Sequence, residues 1–117
     1  EPELQELIKL RASQLNGCAF CLDMHSTDAR KLGMTDQRLD LLAAWRETDL
    51  YSPRERAALA LTEAITFVSD GHVPDQVWRE AEEVFTEREL ATVVWAAATI
   101  NTWNRLAISA RRPVPSR

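Results

Sequence analysis

Glycine and proline are scarce in this sequence, 3 and 5 in 117 residues, so little punctuates the chain and long uninterrupted elements are expected. Cysteine is scarcer still. Two thiols cannot build the disulfide framework of a small secreted protein, and no signal-peptide pattern opens the chain, so a cytoplasmic location is expected. Positive charge is not in excess: 14 Lys+Arg against 18 Asp+Glu leave a net charge of -4. That balance speaks against nucleic-acid and anionic-membrane partners, which need a basic face. No segment alternates Val, Ile or Thr with polar residues, which removes half-buried strands from the reading. Hydrophobic residues at 45% and charged residues at 27% are ordinary for a globular chain. One domain spanning residues 1–117 is expected, long enough to bury a core.

Helical spacing takes the place of the missing strands. Leu4, Leu7, Ile8 and Leu15 lie on one stripe and predict a first helix that ends near Asn16-Gly17. A second runs from about Cys18 to Leu32, with Arg30 and Lys31 in its last turn and Gly33 just past its end. Thr35 caps a short third helix holding Leu39, Leu42 and Ala43. Ser52-Pro53-Arg54-Glu55 is a capping box with proline at the first helical position, and opens a fourth helix expected to reach Asp70-Gly71. Pro74 opens a fifth, and the Thr86-Glu87-Arg88-Glu89 box a sixth. Arg112-Pro113-Val114-Pro115 cannot continue it. The reading is all-α, with about six helices.

Leu90 to Ala110 is apolar for most of its length, but Asn101, Asn104 and Arg105 interrupt it, so it does not read as a membrane span. Ala96, Ile100, Trp103, Ala107 and Ala110 form a stripe, which predicts that the sixth helix is the central buried one. Its small residues, together with four Trp in so short a chain, predict a homo-oligomer.

The chemistry is concentrated at the start of the second helix. Cys18 and Cys21 are three residues apart, where two thiols on a first helical turn can close a small disulfide. A helix N-terminus favours thiolate, the reactive form. His25 follows Cys21 by four residues, one turn along the same face, where an imidazole can reach the sulfur as a base. Two bland readings compete. The pair could be small core residues, or C-x-x-C with His25 could supply three zinc ligands; His72 is the only other histidine, and no cysteine remains.

Glu6 faces away from the Leu4/Ile8/Leu15 stripe, which predicts a solvated carboxylate. A chain reversal at Asn16-Gly17 argues otherwise. Glu6 then lies roughly 16 Å from the turn along one helix and His25 about 12 Å along the other, nearly abreast and within reach through a water.

Glu6, then Cys18-Ala19-Phe20-Cys21 and His25, spaced E-x11-C-x-x-C-x3-H, resembles the signature of the carboxymuconolactone decarboxylase superfamily, and most closely its alkylhydroperoxidase (AhpD-like) branch. Leu10 to Gly17, Val73-Pro74-Asp75 and Ile100 to Arg105 are also similar to that branch. The resemblance implies an all-α fold assembling into trimers or hexamers, and a peroxidase or disulfide-reductase activity that needs no cofactor. It implies that Cys21 attacks the peroxide and becomes a sulfenic acid, while Cys18 supplies a proton and closes the disulfide. His25 and Glu6 would form the proton relay. A hydroperoxide is the implied substrate, and an external dithiol of thioredoxin or lipoyl type the implied reductant. Decarboxylases of the superfamily lack the dithiol, so its presence argues against lactone decarboxylation. Two departures are visible: Ala19-Phe20 stands where the studied hydroperoxidase has a histidine between its cysteines, and that protein's internal duplication is absent. A redox sensor whose dithiol switches assembly is the alternative reading, and a zinc-binding structural module a further one.

The remaining residues read as ordinary. His72 is expected in an exposed loop, and Trp45, Trp78, Trp95 and Trp103 as core or interface anchors. Asp23 and Asp28 are expected to be solvated, away from the cysteine face. Asn101, Asn104 and Arg105 are expected to cap, to pack or to pair with carboxylates.

Overall fold

Helix starts are written in their first turns. The Ser52 hydroxyl accepts the Glu55 amide at 3.2 Å while the Glu55 carboxylate takes the Ser52 amide at 2.8 Å. Thr86 and Glu89 repeat the arrangement at 3.2 and 2.9 Å. Two otherwise orphaned donors are satisfied in each case. The Thr35 hydroxyl caps its helix by accepting the Arg38 amide.

The computed structural model describes residues 1–117. It contains six α-helices and one 3-10 helix, with no strand: α1 (Pro2–Asn16), α2 (Ala19–Lys31), α3 (Asp36–Asp40), the 3-10 helix (Leu42–Glu47), α4 (Pro53–Thr66), α5 (Asp75–Val84) and α6 (Glu87–Ser109). The all-α expectation holds. Two boundaries differ from the sequence reading. The third helix divides at Leu41, so Leu42 and Ala43 lie in the 3-10 segment. The fourth stops at Thr66, because Phe67 leaves helical geometry at φ -102, ψ 40 and residues 67–71 form turns. Phe67 and Val68 continue the apolar spacing yet are exposed, so the pattern overruns the helix.

Two apolar clusters share α1 and α4. Leu4 and Ile8 of α1 meet Ala58 and Leu61 of α4, Phe85, and Val93 of α6. Leu7 and Leu10 of α1 meet Ala29 of α2, Leu42, Trp45 and Leu59. The central helix is therefore α1, not α6 as the apolar run implied. The expected α6 stripe breaks up: Ile100 is buried, Ala96 and Ala107 are half-buried, and Trp103 and Ala110 are exposed. What α6 buries is Leu90, Val93, Ala97 and Ile100, then the amides Asn101 and Asn104. Of the four tryptophans only Trp45 is in the core; Trp95 is 73% and Trp103 59% exposed. His72 is exposed in the loop before α5, as expected. No helix is long and apolar enough to cross a membrane.

Three helix ends share one closing geometry. At the close of α1, Gly17 adopts φ 69, and the amides of Gly17 and Cys18 bond back to Gln14 and Ser13. At the close of α2, Gly33 adopts φ 97 and the amides of Gly33 and Met34 bond back to Arg30 and Ala29. At the close of α6 the same pattern recurs, with the amides of Arg111 and Arg112 bonding to Ile108 and Ala107. There the left-handed residue is Arg111, at φ 55 rather than a glycine. All three are Schellman closures, that of α6 holding a strained non-glycine residue.

Candidate functional site

Cys18 both ends one helix and starts the next. It is the last residue of the α1 closure and the N-cap of α2, where its Sγ accepts the Cys21 amide at 3.4 Å, the task a serine or aspartate oxygen usually performs. The chain therefore reverses within two residues, and α1 and α2 pack as an antiparallel hairpin. The dithiol stands at the start of the second helix, as the sequence indicates. Both thiols are free and buried, with sulfurs 2.7 Å apart and hydrogen-bonded.

Burial, followed by the contact with Cys18, pushes the Cys21 thiol up to about 11. The Asn104 amide and the charge of Arg112 pull the other way without winning. The preference of a helix start for thiolate is thus overridden at Cys21 by desolvation. A testable consequence lies in stability. Because the folded thiol holds its proton more tightly than a free one, its contribution is full below the reference value of 9.0 and is lost as pH rises towards about 11. The loss amounts to about 2–3 kcal/mol. Burial also raises Tyr51, which acts in the same direction, so the measurement is a difference. In denaturant titrations from pH 8 to 11, Cys21→Ser should lose less stability than the native protein. Parallel curves would mean that Cys21 titrates as it does when unfolded.

Glu6 and His25 meet directly. Nδ1 of His25 lies 3.1 Å from Oε2 of Glu6, and Nζ of Lys9 lies 3.3 Å from the other oxygen. Glu6 is only 7% exposed, which corrects the solvated-carboxylate expectation. A single apolar stripe implies one buried face on α1, whereas two cores and the α2 hairpin cover most of its circumference. With the Nδ1 proton donated to the carboxylate, Nε2 keeps the lone pair. His25 makes no hydrogen bond to Cys21, so the direct reach expected from the one-turn spacing is absent. Both line the same groove instead, a cavity of about 750 Å3 walled by Phe20, Met24, Trp95 and Trp103. Cys18 is not among its lining residues.

Asp28 also departs from its solvated expectation. Its carboxylate and the ligand atoms of Glu6 and His25 all lie within 4.8 Å of one another, the one grouping of donors able to hold a cation. Cys18, Cys21 and His25 do not form such a group, which removes the geometry that the zinc reading required. Asp23 pairs with Arg117.

Asn104 is the residue that sequence reasoning missed. It is fully buried, donates to Ser13 Oγ at 3.0 Å, accepts from Asn16 at 2.9 Å and lies near enough to Cys21 to draw its thiol down. Asn16 also donates to Asn101, whose own amide reaches Thr66 at 3.1 Å. These partners are amides and hydroxyls, so of the roles expected for Asn101, Asn104 and Arg105 polar packing is the one seen and pairing with carboxylates is not; Arg105 bonds Asn101 at 2.7 Å. One cue was available, in that Asn101 and Asn104 are three apart and so share a helix face.

Residues 1–64, which carry both sulfurs, His25 and Glu6, match the profile of the Carboxymuconolactone decarboxylase family. The chain belongs to that family. Within it the fold is that of the AhpD-like branch. The chain superposes on an Agrobacterium tumefaciens protein of unknown function, provisionally assigned as the antioxidant defence protein AhpD. The TM-score is 0.97 at 38% identity, covering 100% of this chain and 80% of that one. YdfG of Bacillus subtilis, an uncharacterized protein, is 50% identical over 105 residues, covering 90% of this chain and 71% of YdfG. A peroxidase-related protein of Silicibacter, at 24% identity and TM-score 0.84 over 99% of this chain and 60% of that one, shares the fold. This carboxymuconolactone decarboxylase family member thus carries a dithiol, a carboxylate–imidazole pair and an apolar groove in one place.

Proposed function

We propose that this protein is a thiol-dependent peroxidase and disulfide oxidoreductase. The observation that carries the reading is a buried pair of free thiols whose second sulfur opens, beside a Glu6-bound imidazole, onto an apolar groove. Nε2 of His25 takes the Cys21 proton through the hydroxyl group of a bound hydroperoxide or a water. The thiolate attacks the terminal peroxide oxygen, the O–O bond breaks, and an alcohol leaves with the relayed proton. Cys21 becomes a sulfenic acid. The Cys18 sulfur then displaces water from it and forms the disulfide. An external dithiol, of thioredoxin or lipoyl type, restores both thiols by exchange and is itself oxidised. Glu6 orients the imidazole and stabilises its charged form. A thiol that holds its proton up to about 11 needs such a base at neutral pH.

Steady-state consumption of an alkyl hydroperoxide with a defined dithiol tests the reading. His25→Ala should lower kcat/KM by about 10²–10⁴-fold at pH 7, with the deficit shrinking as pH rises. Glu6→Gln should show a smaller loss of the same shape. A loss independent of pH would reduce both residues to packing.

The alternative is a redox sensor whose dithiol switches assembly, favoured by Trp95, Trp103 and Leu106, which α6 leaves exposed beside the site. A homotrimer or homohexamer is proposed on either reading. Sedimentation at micromolar concentration should show a species well above 13.3 kDa. A mass that changes with oxidation, without peroxide turnover, would select the sensor.

A further inference from the structure

The walls of the groove have an unusual charge balance. Sixteen residues line it, ten of them hydrophobic, and none is Asp or Glu, although the chain holds 18 acidic residues against 14 basic ones. Its permanent cations are Lys9 and Arg112. Lys9 is already paired with Glu6, but Arg112 has no carboxylate partner anywhere in the chain. Its guanidinium lies over the Phe20 ring, 4.2 Å from the centroid. That position is set by the end of α6. Left-handed Arg111 turns the chain back so that the Arg112 amide bonds to Ala107, itself a groove residue. The fold accepts a strained non-glycine conformation and directs a free, solvent-exposed cation to the edge of an apolar groove.

We propose that the hydroperoxide taken by this site is a long-chain carboxylate, its apolar body in the groove and its carboxylate on Arg112. This rests on the peroxidase reading and names its substrate class. A planar guanidinium, pinned by stacking, offers two parallel N–H groups to a carboxylate. The walls from α2 and α6 supply contacts for a hydrocarbon chain. Uncharged short hydroperoxides use neither feature.

The test compares linoleic acid hydroperoxide, its methyl ester and tert-butyl hydroperoxide as substrates, with the same dithiol in excess. A second arm follows the binding of oleate, which carries no peroxide, through the fluorescence of the groove tryptophans. The free acid should exceed its methyl ester in kcat/KM by about tenfold, and the ester should exceed tert-butyl hydroperoxide. Arg112→Gln should bring the acid-to-ester ratio close to one and weaken oleate about tenfold, and Arg112→Lys should restore part of both. Equal kcat/KM for all three substrates would overturn the proposal while leaving the peroxidase reading intact. Arg112-dependent oleate binding without any peroxide turnover would keep the ligand class and remove the peroxidase reading. If oleate does not bind and Trp103→Glu converts an assembled protein into monomers, a second copy fills the groove and the proposal is overturned.

Discussion

Peroxide added to the Cys18→Ser protein should leave a sulfenic acid on Cys21 that a carbon-nucleophile probe traps, whereas the Cys21→Ser protein should remain largely unmodified. The assignment rests on access. Cys21 lines the groove with His25, while Cys18, equally buried, does not reach it. Cys18 is also occupied as the N-cap, its sulfur holding the Cys21 amide. With the sulfurs 2.7 Å apart, the second thiol is placed to resolve an oxidised partner with little movement. Spacing alone leaves a contest between the helix start, which favours Cys18, and the base, which favours Cys21. Burial adds a reason, because a thiol held up to about 11 reacts only where a base removes its proton. Turnover of Cys21→Ser should fall by about a thousandfold or more, to the uncatalysed background. Cys18→Ser should react once and stop. Mass spectrometry after the probe decides it: label on Cys18 in the Cys21→Ser protein, and none in its counterpart, would reverse the two roles.

Replacing Asn104 by leucine should produce the largest stability loss of any single change around the site. The native amide uses its nitrogen on Ser13 and its oxygen on Asn16, with no solvent to substitute for either. Leucine strips the buried Ser13 hydroxyl and the half-buried Asn16 amide of one hydrogen bond each, at about 0.5–1.5 kcal/mol apiece, although Ser13 keeps the Lys9 carbonyl and Asn16 keeps Asn101. A total of about 2 kcal/mol is expected, with Tm lower by about 10 °C. The same change removes the amide that draws the Cys21 thiol down, so alkylation of that thiol at fixed pH should slow as well. Asn101→Ala separates the two effects. It belongs to the same amide cluster and should also destabilise, but nothing joins it to Cys21, so thiol reactivity should be unchanged. If Asn104→Leu alters Tm and not alkylation, its role is structural alone.

Local signals in the sequence carried well. The two capping boxes, the Gly17 reversal and the placing of the dithiol at the start of α2 each depend on residues within one or two turns, so their structural outcome is close to what neighbours dictate, whereas the reach of His25 to Cys21 expected from the same spacing is not made. Glu6 was harder, since a helix enclosed by two cores and a hairpin partner has no polar face for periodicity to detect. The C-terminal half of α6 was inverted for a related reason. Asn101 and Asn104 look like interruptions of an apolar run, yet they are buried because Ser13, Asn16 and Thr66 answer them from elsewhere in the chain. Trp103 fits the expected stripe and is exposed because no element of this chain covers it. Asp28 lies one helical turn from His25 by spacing alone, but it approaches Glu6 only through the α1–α2 hairpin, a contact that its own sequence neighbours do not encode.

Asn16-Gly17, at the reversal that seats the dithiol, is also the dipeptide most prone to chemical ageing. The glycine nitrogen, unhindered by a side chain, can attack the Asn16 side-chain carbonyl and expel ammonia to close a succinimide, which water then opens to an isoaspartate with an extra backbone carbon. Here the Gly17 nitrogen is engaged with Gln14, and the Asn16 amide is held by Asn101 and Asn104 at 2.9 Å each. Cyclisation therefore requires those bonds to open together, so the hydrogen bonds that seat the dithiol also slow the ageing of the turn beneath it.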